Sequence, residues 1–193
     1  SIIAAAGFAL ATVTKTDAQV ADDAIGIPDD YKWVENGDGT STLKPRDYVA
    51  QIGETKYETL EAAFAAANDG DTITVLKDCA GNGIQVPQGK FGTNGLTVDF
   101  AGFTYTMDGN MVGSTGTQTQ AFQLLKDNKI TFTNGTIYSE KALFLVQNYS
   151  DLTLDGMTLT LNNANYTSAY TLSNNNGNVV IKDTTINANE AGG

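Results

Sequence analysis

Three aspartates and four tyrosines are the residues whose types and spacing could do chemistry in this chain. Asp99, Asp155 and Asp183 each close a short β-like segment. Asp155 and Asp183 fall at what reads as the same turn position of successive segments. Stacked there, they would stand about 5 Å apart and could share a cation such as calcium. Asn134 takes that place one segment earlier. The position therefore asks for left-handed backbone, which Asn and Asp tolerate, more than it asks for charge. Tyr105, Tyr138, Tyr149 and Tyr166 could form a face that stacks on sugar rings; the plainer reading is of aromatics scattered over a β surface. Arg46 is the only arginine, and Lys126, Lys129, Lys141 and Lys182 read as solvated. "GSTGTQTQ", Gly113 to Gln120, reads as a polar loop without a phosphate-loop lysine. Sequons at Asn134, Asn148 and Asn165 arise easily in a chain so rich in Thr and Asn.

Composition narrows the chemistry further. The chain has 193 residues, 11 Lys and Arg against 22 Asp and Glu, and a net charge of -11. Such a surface repels nucleic acid and anionic lipid. There is no histidine, which removes the commonest general base and the commonest zinc ligand. Ser-His-Asp and Cys-His catalysis are excluded within the chain. Cys79 is the only cysteine, so no intrachain disulfide can form, and it reads as a small packed residue.

The elements that must position these residues come next. "SIIAAAGFALATV", Ser1 to Val13, is too short to span a membrane and has the length of a signal-peptide apolar region. Thr16, Asp17 and Ala18 would then precede cleavage, although the basic flank is missing; the alternative is a buried helix or strand. Residues 1–24 are read as this segment with an acidic linker, 25–55 as a small β-hairpin region, and 56–193 as one repetitive domain truncated at its C-terminus. Tyr31, Trp33 and Leu43 flank the turn signal "NGDG" and predict one hairpin. It lacks the pattern of a calcium loop. A second hairpin turns at Gly53-Glu54. Leu60, Ala63, Phe64 and Ala67 then form one apolar helical stripe, with Thr59 as N-cap and Asn68-Asp69-Gly70 as the stop. "DTITVL" reads as a strand.

Beyond this point the chain repeats. "LTVDFAGFTYTM", "ITFTNGTIYSE", "LTLDGMTLTLN" and "VVIKDTTINAN" start at Leu96, Ile130, Leu152 and Val179, separated by 34, 22 and 27 residues. Each is strand, tight turn, strand. The turns are read at Ala101-Gly102, Asn134-Gly135, Asp155-Gly156 and Asp183-Thr184. A third strand recurs in "AFQLLK", "ALFLVQN" and "AYTLSNN". Constant strands with variable loops predict a coil of three short strands, each stacked on its equivalent about 4.8 Å away. Ile130, Phe132, Ile137, Leu143 and Leu145 should stack on Leu152, Leu154, Leu159, Tyr170 and Leu172.

The expected fold is all-β: a right-handed parallel β-helix with three strands per coil, an N-terminal capping helix and small preceding β-hairpins. In this the chain resembles the pectate-lyase-like superfamily. "VAQIGETKYETLEAAFAAANDGDTITVLKD" resembles the lead-in module at the head of β-helix domains in secreted and cell-surface bacterial proteins. The resemblance covers roughly Tyr48 to the end. It implies an extracellular or cell-surface location and polysaccharide or surface glycan as partner. Enzymes of that superfamily use clustered carboxylates that hold calcium, with Arg or Lys as base, or paired Asp on neighbouring coils. With no Arg on any coil, no catalytic, cofactor-binding or metal-binding residue is assigned here. The expected function is a scaffold, adhesin-like or carbohydrate-contacting. The alternative is the N-terminal part of a polysaccharide lyase or glycoside hydrolase whose active site lies beyond residue 193. The last coil should present an unpaired edge to further coils or chains.

Overall fold

The structure, a computed structural model, describes residues 13–22 and 27–190. The chain divides into two compact units at Asp47 and Tyr48. Most of the apolar segment read as signal-like, residues 1–12, lies outside the described residues. In the first unit β1 (Thr14–Thr16) runs straight into α1 (Asp17–Asp22), and β2 (Tyr31–Glu35) pairs with β3 (Thr40–Pro45). The three strands form one antiparallel sheet in the order β1-β3-β2, with Trp33 opposite Leu43 as the "NGDG" turn requires. Gly37 and Gly39 supply the positive φ of that turn. Asp38 accepts from the Thr40 hydroxyl and amide (2.5 and 2.9 Å), which hold its carboxyl below the usual range. Thr16 and Gln19 cap α1 reciprocally: Gln19 N–H donates to Thr16 Oγ1 (3.3 Å) and Thr16 N–H to Gln19 Oε1 (3.0 Å).

The second unit opens with the hairpin β4 (Ala50–Ile52) and β5 (Thr55–Tyr57), then α2 (Leu60–Ala66). Thr59 Oγ1 accepts from Ala62 N–H at 3.0 Å, and the stripe Leu60, Ala63, Phe64 and Ala67 is buried. The helix stop differs from the sequence reading. Ala67 leaves the helix in extended conformation, Asp71 accepts from Asn68 N–H (2.7 Å), and only Gly70 is left-handed.

The solenoid follows: β6 (Thr72–Val75), β7 (Cys79–Gly81), β8 (Ile84–Val86), β9 (Leu96–Asp99), β10 (Thr104–Met107), β11 (Val112–Ser114), β12 (Thr117–Leu124), β13 (Lys129–Ser139), β14 (Phe144–Asn148), β15 (Asp151–Leu161), β16 (Tyr170–Asn174), β17 (Asn178–Lys182) and β18 (Thr185–Asn187). They wind into a β-solenoid of about four turns. β6, β9, the first half of β13, the first half of β15 and β17 make one face. β7, β10, the second halves of β13 and β15, and β18 make the next. β8, β12, β14 and β16 make the third, and every coil-to-coil pairing is parallel. Only β11 departs. It pairs antiparallel with β12, so the predicted polar loop is a hairpin that projects from its coil.

The period of two decides what lies inside. Ile73, Val98, Phe132, Leu154 and Ile181 form one inward column, while Thr72, Thr97, Thr131 and Thr153 stack outward. β-branched threonine suits an outward strand position because it is both polar and stiff at χ1. α2 lies over the start of the solenoid, where Phe64 meets Phe122 with ring centroids 6.0 Å apart. Lys90 Nζ caps the helix end, donating to the carbonyls of Phe64 (2.9 Å) and Ala65 (3.0 Å).

One anchor was not visible in sequence. The Asp69 carboxylate accepts from the backbone N–H groups of Asn94 (2.9 Å), Gly95 (3.0 Å) and Thr93 (3.2 Å). The Asn94 amide is the largest of the influences that hold it below the usual carboxylate range; Gly95, Thr93 and the Lys129 charge add to it against some desolvation. A depressed folded-state pKa contributes stability above the unfolded value of about 3.9 and loses it as pH falls through the folded value. Thermal melts from about pH 7 down to about pH 2 should therefore fall more steeply for the wild type than for Asp69→Asn. Parallel curves would show that Asp69 does not anchor this loop.

Candidate functional site

The register separates the carboxylates expected to stack. Asp155 lies opposite Thr133 on one side and Lys182 on the other. The left-handed place belongs to the next residue: Asn134, Gly156 and Asp183 have φ of 58, 70 and 43°, while Ala101 (φ 51°) lies one residue further along a longer corner. Asp155 and Asp183 therefore do not share a turn position, the equivalence from which a shared cation was argued. Asp99 is a turn residue, accepting from Ala101 N–H at 2.8 Å. Among the described residues no three acidic, cysteine or histidine side chains converge on a metal-sized space.

The aromatic residues scatter too. Tyr105 is 1% exposed and points inward between Cys79 and Ile137, its hydroxyl donating to Asn82 O. Burial, followed by nearby Cys79, Glu61 and Asp108, pushes that phenol well above its usual value. Tyr138 faces outward and donates to Glu140 Oε1 at 2.6 Å, a bond that raises its pKa. Tyr166 is exposed on a loop. The third strand is offset by one residue from the expected stacking. Phe144 opposes Tyr170 and Val146 opposes Leu172. Tyr170 therefore lies outside, its ring stacked on Phe144 at 5.7 Å and 17°. Continuous apolar runs such as "ALFLV" offer no alternation from which that offset could be read.

Tyr149 is different, because turn lengths build a site around it. At the corner from the third face to the first, Leu125–Asn128 joins β12 to β13, and Asn175–Gly177 joins β16 to β17. Between them, Tyr149 and Ser150 alone join β14 to β15. A short turn between two longer ones leaves a notch of about 300 Å³. Lys126 and Asp127 form one wall, Asn176 and Asn178 the other, and Tyr149, Ser150 and Asp151 the floor. Asp127 and Asn176 reach into left-handed backbone, with φ of 62 and 58°.

The floor is tied down. Gln147 Nε2 donates to Tyr149 Oη at 3.2 Å, and Tyr149 N–H to Leu124 O at 2.8 Å. Beneath it Asn148 is fully buried. Its amide donates to Ser150 O (3.0 Å) and Asn174 Oδ1 (2.9 Å), and its Oδ1 accepts from Ser150 Oγ at 2.6 Å. That network satisfies the corner's backbone groups and closes the Asn148 sequon to modification in the folded chain. Asn178 Nδ2 donates to Asp151 Oδ1 at 2.7 Å, and Gln88 Nε2 to Asp127 Oδ2 at 3.0 Å. The notch thus offers a half-buried aromatic ring with exposed carboxylate acceptors, amides and one ammonium around it.

Two other concavities are less suited. One of about 380 Å³ between α2 and β8 is lined mainly by Phe64, Ile84, Val86, Pro87 and Phe91. One of about 220 Å³ beside Tyr138 is bounded by Thr160, Asn162, Asn187 and Glu190. The chain matches no family model, no curated protein and no solved structure.

Proposed function

We propose that this chain is a secreted or cell-surface β-helix scaffold of the right-handed, pectate-lyase-like kind found in bacteria, and that it contacts carbohydrate without reacting with it in this segment. The notch at Tyr149 carries the reading. A sugar ring presents an apolar face ringed by hydroxyls, and the notch pairs an aromatic surface with fixed acceptors and donors. Its carboxylates are engaged as hydrogen-bond acceptors by Gln88 and Asn178, which suits them to recognition more than to proton transfer. The lead-in helix and hairpin support the surface-protein reading.

A glycan array probed with the whole chain tests it. At least one polysaccharide should bind, and Tyr149→Ala should weaken that binding about tenfold or more, while Tyr166→Ala leaves it unchanged. Equal binding by wild type and Tyr149→Ala would remove the notch from the proposal. Cleavage of any polysaccharide in a parallel lyase and hydrolase screen would overturn the non-catalytic part.

A further inference from the structure

The charges around Tyr149 discriminate between classes of sugar. Asp127 and Asp151 bring two carboxylates to the notch against the single ammonium of Lys126, and all three residues are exposed. Lys129 shares the outward column of Asp151, but its Nζ is drawn away to Thr93 O at 3.3 Å. The notch is therefore negative, on a chain whose net charge is -11. A uronate or a sulfated sugar seated on Tyr149 would bring its anion beside these carboxylates. A notch of about 300 Å³ is narrower than the roughly 8 Å over which physiological salt screens charge. Facing a ligand with its own charge is an effective way to exclude it.

The same carboxylates suit neutral hydroxyls. Asp151 Oδ1 accepts from Asn178 Nδ2 at 2.7 Å, and Asp127 Oδ2 accepts from Gln88 Nε2 at 3.0 Å. Each pair sets an ionised acceptor beside an amide donor. A carboxylate has about four lone-pair sites and an amide nitrogen two N–H groups, so one such bond exhausts neither partner. Two adjacent hydroxyls of a pyranose match this arrangement: one donates to the carboxylate and its neighbour accepts from the amide. Hydrogen bonds to an ionised acceptor are also the stronger kind. We propose, resting on the carbohydrate reading of Tyr149, that the notch takes a neutral hexopyranose, with its ring against Tyr149 and two adjacent hydroxyls on Asp151 and Asn178, and that it rejects uronic and sulfated sugars.

Matched glycans separate charge from shape. Oligomers of polygalacturonate, alginate and polyglucuronate are each paired with their carboxyl-reduced form, in which a hydroxymethyl group replaces the carboxylate and every linkage is kept. Titration calorimetry with the whole chain should find binding that Tyr149→Ala weakens in at least one pair. In that pair the reduced, neutral member should bind about tenfold or more tighter than the uronate. The double variant Asp127→Asn with Asp151→Asn keeps an acceptor oxygen at both places, and Asn tolerates the left-handed backbone of Asp127, with φ of 62°. It should lose most of the preference for the neutral member. A uronate bound as well as its reduced form, or tighter, in a Tyr149-dependent manner would overturn the neutral-sugar proposal and leave the carbohydrate reading standing. A preference that survives in the double variant would also overturn it, since the two carboxylates would not be its cause. Binding to no member of any pair that depends on Tyr149 would remove the carbohydrate reading, and the neutral-sugar proposal with it.

Discussion

Truncating Phe122 to alanine should destabilise the solenoid by about 3–5 kcal/mol, the usual cost of emptying a large buried aromatic site. Phe122 is fully buried on β12, and its ring lies 5.3 Å from that of Phe132 and 6.0 Å from those of Phe64 and Tyr105. Phe132 in turn packs edge-on against Phe100 at 5.7 Å. This one ring thus joins the capping helix to residues of two coils. In a solenoid each coil contacts only its neighbours, so stability is carried by nearest-neighbour interfaces. A side chain shared between the cap and two coils is an expensive place to open a cavity. Denaturant unfolding of the whole chain measures the loss. Phe144→Ala provides the comparison: Phe144 stacks on exposed Tyr170, and an aromatic pair of that kind is worth about 0.5–1.5 kcal/mol beyond its area. Similar losses at the two positions would mean that the aromatic cluster does not tie the cap to the coils.

The interior columns were legible from sequence because the period of two is unambiguous in "ITFT" and "LTLD". Ile130 pairs with Leu152, Phe132 with Leu154 and Ile137 with Leu159, as their spacing predicts. The helix was legible for the same reason, with a stripe at 3.6 and a Thr cap. What failed was alignment by residue type at the turns. Asn134, Gly156 and Asp183 are three different residues in one left-handed place, so matching each Asx to the next misaligned Asp155 with Asp183 by one residue. A one-residue slip moves a side chain to the other face of a sheet, and the equivalence on which the shared cation was argued goes with it. The notch was hidden for another reason. It is a difference between the lengths of three corner turns, and such a difference has no meaning until the register of the strands on either side is known. Tyr149 could be named as an exposed aromatic, but its walls, Lys126 with Asp127 and Asn176 with Asn178, lie 22 or more residues away in sequence.

The same register assigns separate tasks to the two residues of Asn134-Gly135, which sequence reading treated as one turn signal, and this sets the second large effect. Asn134 alone carries the positive φ, 58°, while Gly135 has an ordinary φ. Gly135 is glycine for room. A Cβ there would stand 2.2 Å from Phe100 Cβ and 2.6 Å from Phe103 O, the carbonyl that accepts from Thr136 N–H at 3.0 Å. Relief would require Phe100 to move, and Phe100 is fully buried against Phe132. Gly135→Ala should therefore cost about 3 kcal/mol, the upper end of overpacking, even though alanine is the mildest replacement. Gly102 reverses the logic. Its φ is 85° and nothing lies within 4 Å of a Cβ built on it. Gly102→Ala should cost only the backbone penalty of about 1–2 kcal/mol. Asn134→Gly keeps the left-handed place available and should stay within about 1 kcal/mol of wild type. Equilibrium unfolding of the three variants gives the order Gly135→Ala, Gly102→Ala, Asn134→Gly from most to least damaging. If Gly102→Ala proved the worst, left-handed backbone would dominate these corners. The order expected here instead makes the limiting quantity the space between Phe100 and the strand of the next coil.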